Sequence, residues 1–402
     1  MKRIIFLALV LSKTIGIAQT AYIPNYGDNT VSVIDVSTNT VINTIAVGNG
    51  PQGISVSSDG TKVYVANEND SSVSVINTIT NSVSATIPVG RIPFGISVTP
   101  DGSKVYVANN YYSNISVINT TNNTVFATIT SGQIPYGISV SPDGSKVYVA
   151  NNYDATVSVI NTSSNTVTNT IAVGFRPFGV AVSPDGSKVY VSNSHENTIS
   201  VINTISNVVT ATIPVGNFPC GITVSQDGNK VYVVNQFSNT VNVINTLTNS
   251  VSDTIAVGSN PTGVSISPDG NKVYIANTYD SSVSVINSIA DTVSTTIEVG
   301  HQPIAFGNFI IVSDVGIPSM GNKSANVHVY PNPANSTLNI QLSSVINNSS
   351  LFITDVLGNT IYHQSFSGDN NSLDVSNFGN GFYFYQITND KETFRGKFIK
   401  EQ

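Results

Sequence analysis

Side chains able to do acid–base, metal or nucleophilic chemistry are few in this sequence and poorly grouped. Before residue 314 the histidines are His195 and His301, and neither has a carboxylate or cysteine at ligand spacing. A catalytic zinc site takes three protein ligands plus an open position, so no metal is expected. Glu196, beside His195, is a conceivable acid or base, although adjacency in sequence does not establish geometry. The single cysteine, Cys220, excludes an internal disulfide and a paired-cysteine metal site, and without an activating neighbour it reads as packing. No Ser-His-Asp order, phosphate loop or calcium loop stands out. No catalytic residue is assigned, and no cofactor is expected. The stronger signal is aromatic. Arg91, Phe94, Tyr136, Phe175, Arg176, Phe178 and Phe218 fall in equivalent short segments, and His195 and His301 fall near them. Rings and guanidinium groups give large contact areas at modest entropy cost and dominate binding hot spots. The chemistry they suit is recognition of a glycan or a protein. The competing reading is that the rings fill gaps between structural elements.

The elements that must position these residues are set by a repeat. The segment Val63-Tyr64-Val65-Ala66-Asn67 returns at Val105, Val147, Val189, Val231 and Val273, each step being 42 residues. A degenerate first copy, Ala21–Asn25, makes seven copies covering 21–314 without an insertion. In the fourth copy, Gly137–Ser141, Lys146–Asn151, Thr156–Asn161 and Thr166–Gly174 are rich in Val, Ile, Thr and Tyr and bounded by turn residues. These are four strands. Asp-Gly between the first two suits a hairpin, because Gly accepts the positive φ of the turn. Four strands repeated seven times predict an all-β, seven-bladed β-propeller. The Asp-Gly hairpin occurs six times, at Asp59, Asp101, Asp143, Asp185, Asp227 and Asp269. The missing seventh predicts that Pro303–Val312 pairs with Ala21–Asn25 and closes the ring, which removes exposed sheet edges. Turns between strands one and two and between three and four share one face, which reads as plain scaffold. The opposite face takes the blade-to-blade loops, with the residues named above. It also takes the second-to-third turns, with Tyr26, Tyr111, Tyr112, Tyr153, Glu196, Phe237 and Tyr279.

Composition narrows the setting. Net charge is −7 and charged residues make up 10%, against about 25% in ordinary domains, so Asn, Ser and Thr must supply the polar surface. An acidic chain with no basic run argues against a nucleic-acid partner. Residues 1–18 have a basic start, an apolar stretch from Ile4 to Leu11 and small residues at Gly16 and Ala18, the pattern of a secretory signal peptide. Cleavage after Ala18 would remove Lys2, Arg3 and Lys13 and take the charge from −7 to −10. No apolar run of about 18 residues predicts a membrane helix in the mature chain.

After the propeller, taken as 19–314, residues 315–326 read as a linker. Residues 327–402 read as a small β-sandwich, with strands expected at Val327–Tyr330, Thr337–Leu342, Leu351–Thr354, Thr360–Tyr362 and Phe382–Ile387. The Val-Tyr-Val-Ala-Asn, Pro-Asp-Gly and Thr-Ile-x-Val-Gly segments resemble the YVTN-type β-propeller repeat family. That resemblance implies a secreted or surface protein, surface-layer components included. Similar propellers include lactonase-like and quinoprotein enzymes, so the fold alone does not decide function.

The tail resembles the type A sorting domain of type IX secretion substrates. Tyr330-Pro331-Asn332-Pro333-Ala334, Asp355-Val356-Leu357-Gly358, Asn380-Gly381-Phe382-Tyr383 and Lys397-Phe398-Ile399-Lys400 occur in family order. The resemblance implies the secretion machinery as a partner, export across the outer membrane, removal of the tail and attachment at the cell surface. It assigns the signal to Pro331, Asn332, Pro333, Gly358, Gly381, Tyr383, Lys397 and Lys400. The expected function is a secreted or cell-surface binding or scaffold protein. The alternatives are a lactonase- or lyase-like enzyme at the mouth of the central channel, or a passive surface-layer protein. Near-identity of the copies speaks against catalysis, which needs blades that differ at charged channel positions.

Overall fold

The computed structural model describes residues 18–313, 327–330, 334–355, 360–388 and 393–401. All of the expected signal peptide 1–18 except Ala18, the expected linker 315–326, and Pro331, Asn332, Pro333 and Gly358 lie outside them. The chain divides into two compact units, up to Val315 and from Gly316 onward.

The first unit contains seven four-stranded antiparallel sheets. Blade 1 combines Ile310–Ser313 with Ala18–Asn25, Thr30–Asp35 and Thr40–Ala46. Blades 2 to 7 begin at Pro51, Pro93, Pro135, Pro177, Pro219 and Pro261. Blade 4 runs Pro135–Val140, Lys146–Asn151, Thr156–Asn161 and Thr166–Ala172, close to the pattern read from its β-branched runs. The ring closes between the two ends of the unit: Ala18–Ala21 pair with Ile310–Ser313, and Asn25 pairs with Pro303. Register reveals one departure. In blade 2 Val63 faces Val56, five residues after Pro51, whereas in blade 1 Ala21 faces Ile310, seven after Pro303. The copies therefore do not run without an insertion. Two extra residues bow the closing strand toward the axis and the neighbouring blade, so that Phe306 N–H donates to Gln52 O while Ile54 N–H donates to Phe306 O.

The middle strands are buried on both faces, as sheets stacked face to face require; Val63, Tyr64, Val65 and Ala66 are all buried. Each strand-two tyrosine is buried, and several pass a hydroxyl to the next blade: Tyr106 donates to Asn165 Oδ1 at 2.9 Å and Tyr274 to Asn39 Oδ1 at 2.9 Å. Beside them a lysine clamps the same turn. Lys104 Nζ donates to Thr162 O at 2.6 Å, Lys188 to Thr246 O at 3.0 Å, and Lys272 to Val36 O at 2.5 Å across the closing seam. The Asp-Gly hairpins have the expected backbone, with φ of +73° at Gly144. Their aspartates accept from the hairpin itself. Ser141 Oγ donates to Asp143 Oδ1 at 2.5 Å, and this hydroxyl with the Ser145 N–H and side chain holds the carboxyl down at about 2.

The second unit is one five-stranded sheet: Val327–Tyr330, Thr337–Thr354, Thr360–Asp374, Gly381–Thr388 and Thr393–Lys400. Two runs read as separate strands are one long strand. Its first part pairs with Val327–Tyr330 and its last part with Gly381–Thr388. Leu338, Ile340, Leu351, Ile353, Tyr385, Ile387 and Phe398 form a shared core. Of the sorting-signal residues, Gly381 pairs with Lys400, Phe384 with Lys397, and Tyr383 with Phe398. The Tyr383 hydroxyl donates to Gly379 O at 2.7 Å, and the Lys400 side chain is buried with its Nζ on Glu401 O.

Candidate recognition face

The face that carries the blade-to-blade loops resolves into a central plug and a lateral row. Blades 2 to 7 each start with proline, and on three of them the residue after it is aromatic and joins a cluster of rings at the axis. Blades 3, 4 and 5 place Phe94, Tyr136 and Phe178 there. Phe94 packs edge-on to Tyr136 at 4.7 Å and to Phe178 at 5.5 Å, while Tyr136 and Phe178 stack at 4.6 Å. Phe306, carried in by the two extra residues, closes the group at 4.9 Å from Phe94 and 5.2 Å from Phe178. Beneath these rings lies an apolar space of about 50 Å³ lined by Ile96, Ile138, Val180, Ile222 and Val264. The axis at this face is thus stoppered by carbon. At the opposite mouth a pocket of about 200 Å³ is edged by Ser55, Ser97, Ser139, Thr223, Ser265 and Asn308, without a charged group.

The row runs outward over blades 4 to 6. Phe237 packs on Phe218 at 4.6 Å, Phe218 on His195 at 5.5 Å, and His195 edge-on to Phe175 at 5.9 Å. The Arg176 guanidinium lies 5.5 Å from the Phe175 ring and 5.4 Å from that of Tyr153. It is held by a 3.0 Å bond from Nη1 to Asn152 Oδ1, and Asn152 Nδ2 donates in turn to Pro177 O. Phe178 joins plug and row, 6.3 Å from Phe218. Seven of the nine residues picked out in the sequence therefore fall in one connected aromatic array. Arg91 stands apart on blade 3, 4.4 Å over the Tyr111 ring. His301 is exposed beside blade 1, its backbone N–H on Asp28 Oδ2 at 2.7 Å. Phe306 and Asn152 escaped the sequence reading. A shifted register was the signal for the first, and no spacing rule marks the second.

Among the described residues no group of three His, Cys, Asp or Glu side chains could hold a metal ion. Burial pushes the Cys220 thiol up to about 12, which removes it as a nucleophile. Ser194 Oγ meets His195 Nδ1 at 3.2 Å but also donates to Arg176 O, and it is buried.

Known proteins place both units. Residues 19–173 match the lactonase seven-bladed β-propeller family and residues 143–227 the YNCE-like β-propeller family. Residues 328–401 match the secretion system C-terminal sorting domain. The chain is an exported seven-bladed β-propeller. Its sorting domain engages the secretion machinery and sends the protein through the type IX system to the cell surface or beyond. Among the described residues no helix is long and apolar enough to cross a membrane.

The propeller resembles a solved hydrazine synthase chain of Kuenenia stuttgartiensis, at 24% identity and TM-score 0.63, over 68% of this chain and 93% of that one. It also resembles a candidate 6-phosphogluconolactonase of Bacteroides uniformis, at 17% identity and TM-score 0.62, over 71% and 98%. At these identities the likeness is one of fold. An endo-acting ulvan lyase of Formosa agariphila is 35% identical over 82 residues, 20% of this chain. A PE-PGRS family protein of Mycobacterium tuberculosis is 61% identical over 36 residues, 9% of this chain. These matches span only 15% and 8% of those proteins' own lengths.

Proposed function

We propose that the exported propeller is a binding module that holds a glycan or protein outside the cell on its loop face. The observation that supports this most is the row of solvent-facing rings on blades 4 to 6, in which the exposed Tyr153, Phe175 and Phe237 are linked through Arg176, His195 and Phe218. A ring left in water forgoes the burial energy available to it, so several such rings in contact mark a site that is covered in use. A soluble partner captured by the full secreted chain, and lost with Phe175→Ala and Phe237→Ala at unchanged melting temperature, supports the reading. Capture that is indifferent to both substitutions refutes it.

A second reading, a lactonase, is favoured by the family match over residues 19–173. The ring-filled axis on the loop face and the uncharged lining of the opposite mouth weigh against it. Lactone hydrolysis by the purified protein, abolished by His195→Ala, would reverse the preference.

A further inference from the structure

We infer that the ligand of this face is a neutral polysaccharide chain lying along the row from Tyr153 to Phe237, an assignment that rests on the binding-module reading above. Three features of the surface select this chemistry. The first is ring exposure. Tyr153, Phe175 and Phe237 are 56%, 47% and 65% exposed. Aromatic faces carry partial negative charge and attract polarised C–H groups, which line one side of a pyranose ring. The second is shape. Successive members of the row stand 4.6 to 5.9 Å apart in a single file. A protein partner needs a broad patch, about 800 Å² per side with an apolar centre. This file is instead flanked by amides: Asn197 Nδ2 donates to Asn217 Oδ1 at 3.1 Å, and Gln236 Nε2 to Asn260 Oδ1 at 3.0 Å. Carboxamides both donate and accept, as sugar hydroxyls do.

The third feature is charge. Arg176 is accompanied in the same stretch of loops by Asp154 and Glu196, and elsewhere on the face Arg91 is outnumbered by Asp28, Asp70 and Asp280. Asp154 and Asp70 accept the backbone N–H of Gln133 and Asn49 at 2.7 and 2.6 Å, which fixes their carboxyl groups in place on this face. A uronic or sulfated polymer would meet net repulsion here. Arg176, pinned by Asn152, serves as a flat stacking surface and hydrogen-bond donor between two rings.

The test is affinity electrophoresis of the full chain through gels carrying laminarin, xylan or mannan as neutral probes, and alginate or heparin as acidic ones. The expected result is retardation by at least one neutral probe that persists in about 0.5 M NaCl. Phe175→Ala and Phe237→Ala should each weaken it about tenfold, while Tyr279→Ser on blade 7 should leave it unchanged. Retardation by the acidic probes alone, or by none of the five, overturns the neutral-glycan assignment. Capture of a surface protein through Phe175 and Phe237 also overturns it while leaving the binding-module reading intact. Neutral-probe binding insensitive to both substitutions overturns the two together.

Discussion

Around the axis, Gly53, Gly95, Gly137, Gly179, Gly221 and Gly263 each face a backbone carbonyl of the adjoining blade at a distance that leaves no room for a methyl group. Gly179→Ala is the most informative change. Its Cβ would fall inside the contact distance of Cys220 O by about 1 Å and would touch Ile222 Cγ2 at 3.0 Å. The opposing atom belongs to a strand and cannot swing aside as a side chain would. Overpacking costs about 1–3 kcal/mol where the surroundings can adjust. A closed ring has little freedom to adjust, so about 3 kcal/mol is the appropriate figure. At about 2.1 cal/mol/K per residue over about 300 residues, that lowers the melting temperature by roughly 5 °C. The control is Gly144→Ala on a hairpin, where φ is +73° and the nearest atom, Pro100 Cδ, is 3.4 Å away. Backbone strain alone costs about 1 kcal/mol there, a loss of roughly 1.5 °C. Both are read by calorimetry on the same preparation. A Gly179→Ala protein melting within about 2 °C of the parent, or no lower than Gly144→Ala, would refute the claim that the inner strands set the ring's diameter.

Three further outcomes follow from the same geometry. Lys272→Met removes the cation from Val36 O and Asn39 Oδ1 at the closing seam. Discounted for partial exposure, it should cost about 1 kcal/mol, seen as a urea midpoint shift with unchanged m-value. The carboxyls of Asp143 and Asp185 sit at about 2, held down chiefly by the hydroxyls of Ser141 and Ser183. Their stabilising contribution is complete above the unfolded value of about 3.9 and is lost as pH falls through about 2. Melting curves should therefore show a decline over that window that Asp143→Asn with Asp185→Asn makes shallower. Phe178→Ala removes a ring that touches Phe94, Tyr136, Phe218 and Phe306. It should destabilise the propeller by about 2–3 kcal/mol, measured by thermal unfolding, whereas the peripheral Phe237→Ala should cost less than about 0.5 kcal/mol.

How much of this was legible in the sequence depended on whether a feature is local. Strand content, hairpins and blade count came from β-branched runs and Asp-Gly pairs, whose conformational preferences act over a few residues. The closing strand was found because one hairpin was missing. Its bow was not, because two extra residues in Ala305-Phe306-Gly307-Asn308 break no local rule; only the register with Ala21 exposes them. In the tail, the single strand Thr337–Thr354 was read as two, since its partner changes midway and the sequence there lacks a periodic apolar signal. For the candidate site, membership of a face was legible from topology. Division into plug and row was not, because Phe94 and Phe175 differ in how near the axis their backbone lies rather than in residue type.

The loop preceding each blade is where the copies are most free to differ. Its last residue before proline has positive φ throughout: +65° at Gly50, +53° at Asn260, but also +56° at Arg176 and +55° at Phe218. Gly and Asn adopt that conformation readily, while a bulky side chain costs about 1 kcal/mol or more. The copies with Gly50 and Asn260 show that the fold can be built with the residues the backbone prefers. At Ile92, Ile134, Arg176, Phe218 and Gln302 the preference is overridden, and two of these, Arg176 and Phe218, belong to the row, separated there by His195 and Phe175. Stability gains nothing obvious from Arg176, whose contacts are two exposed rings and one amide. The same strained loop position holds Gly, Asn, Gln, Ile, Arg and Phe in different copies, so the scaffold does not dictate its side chain, and what each copy carries there is left to the packing of its own face.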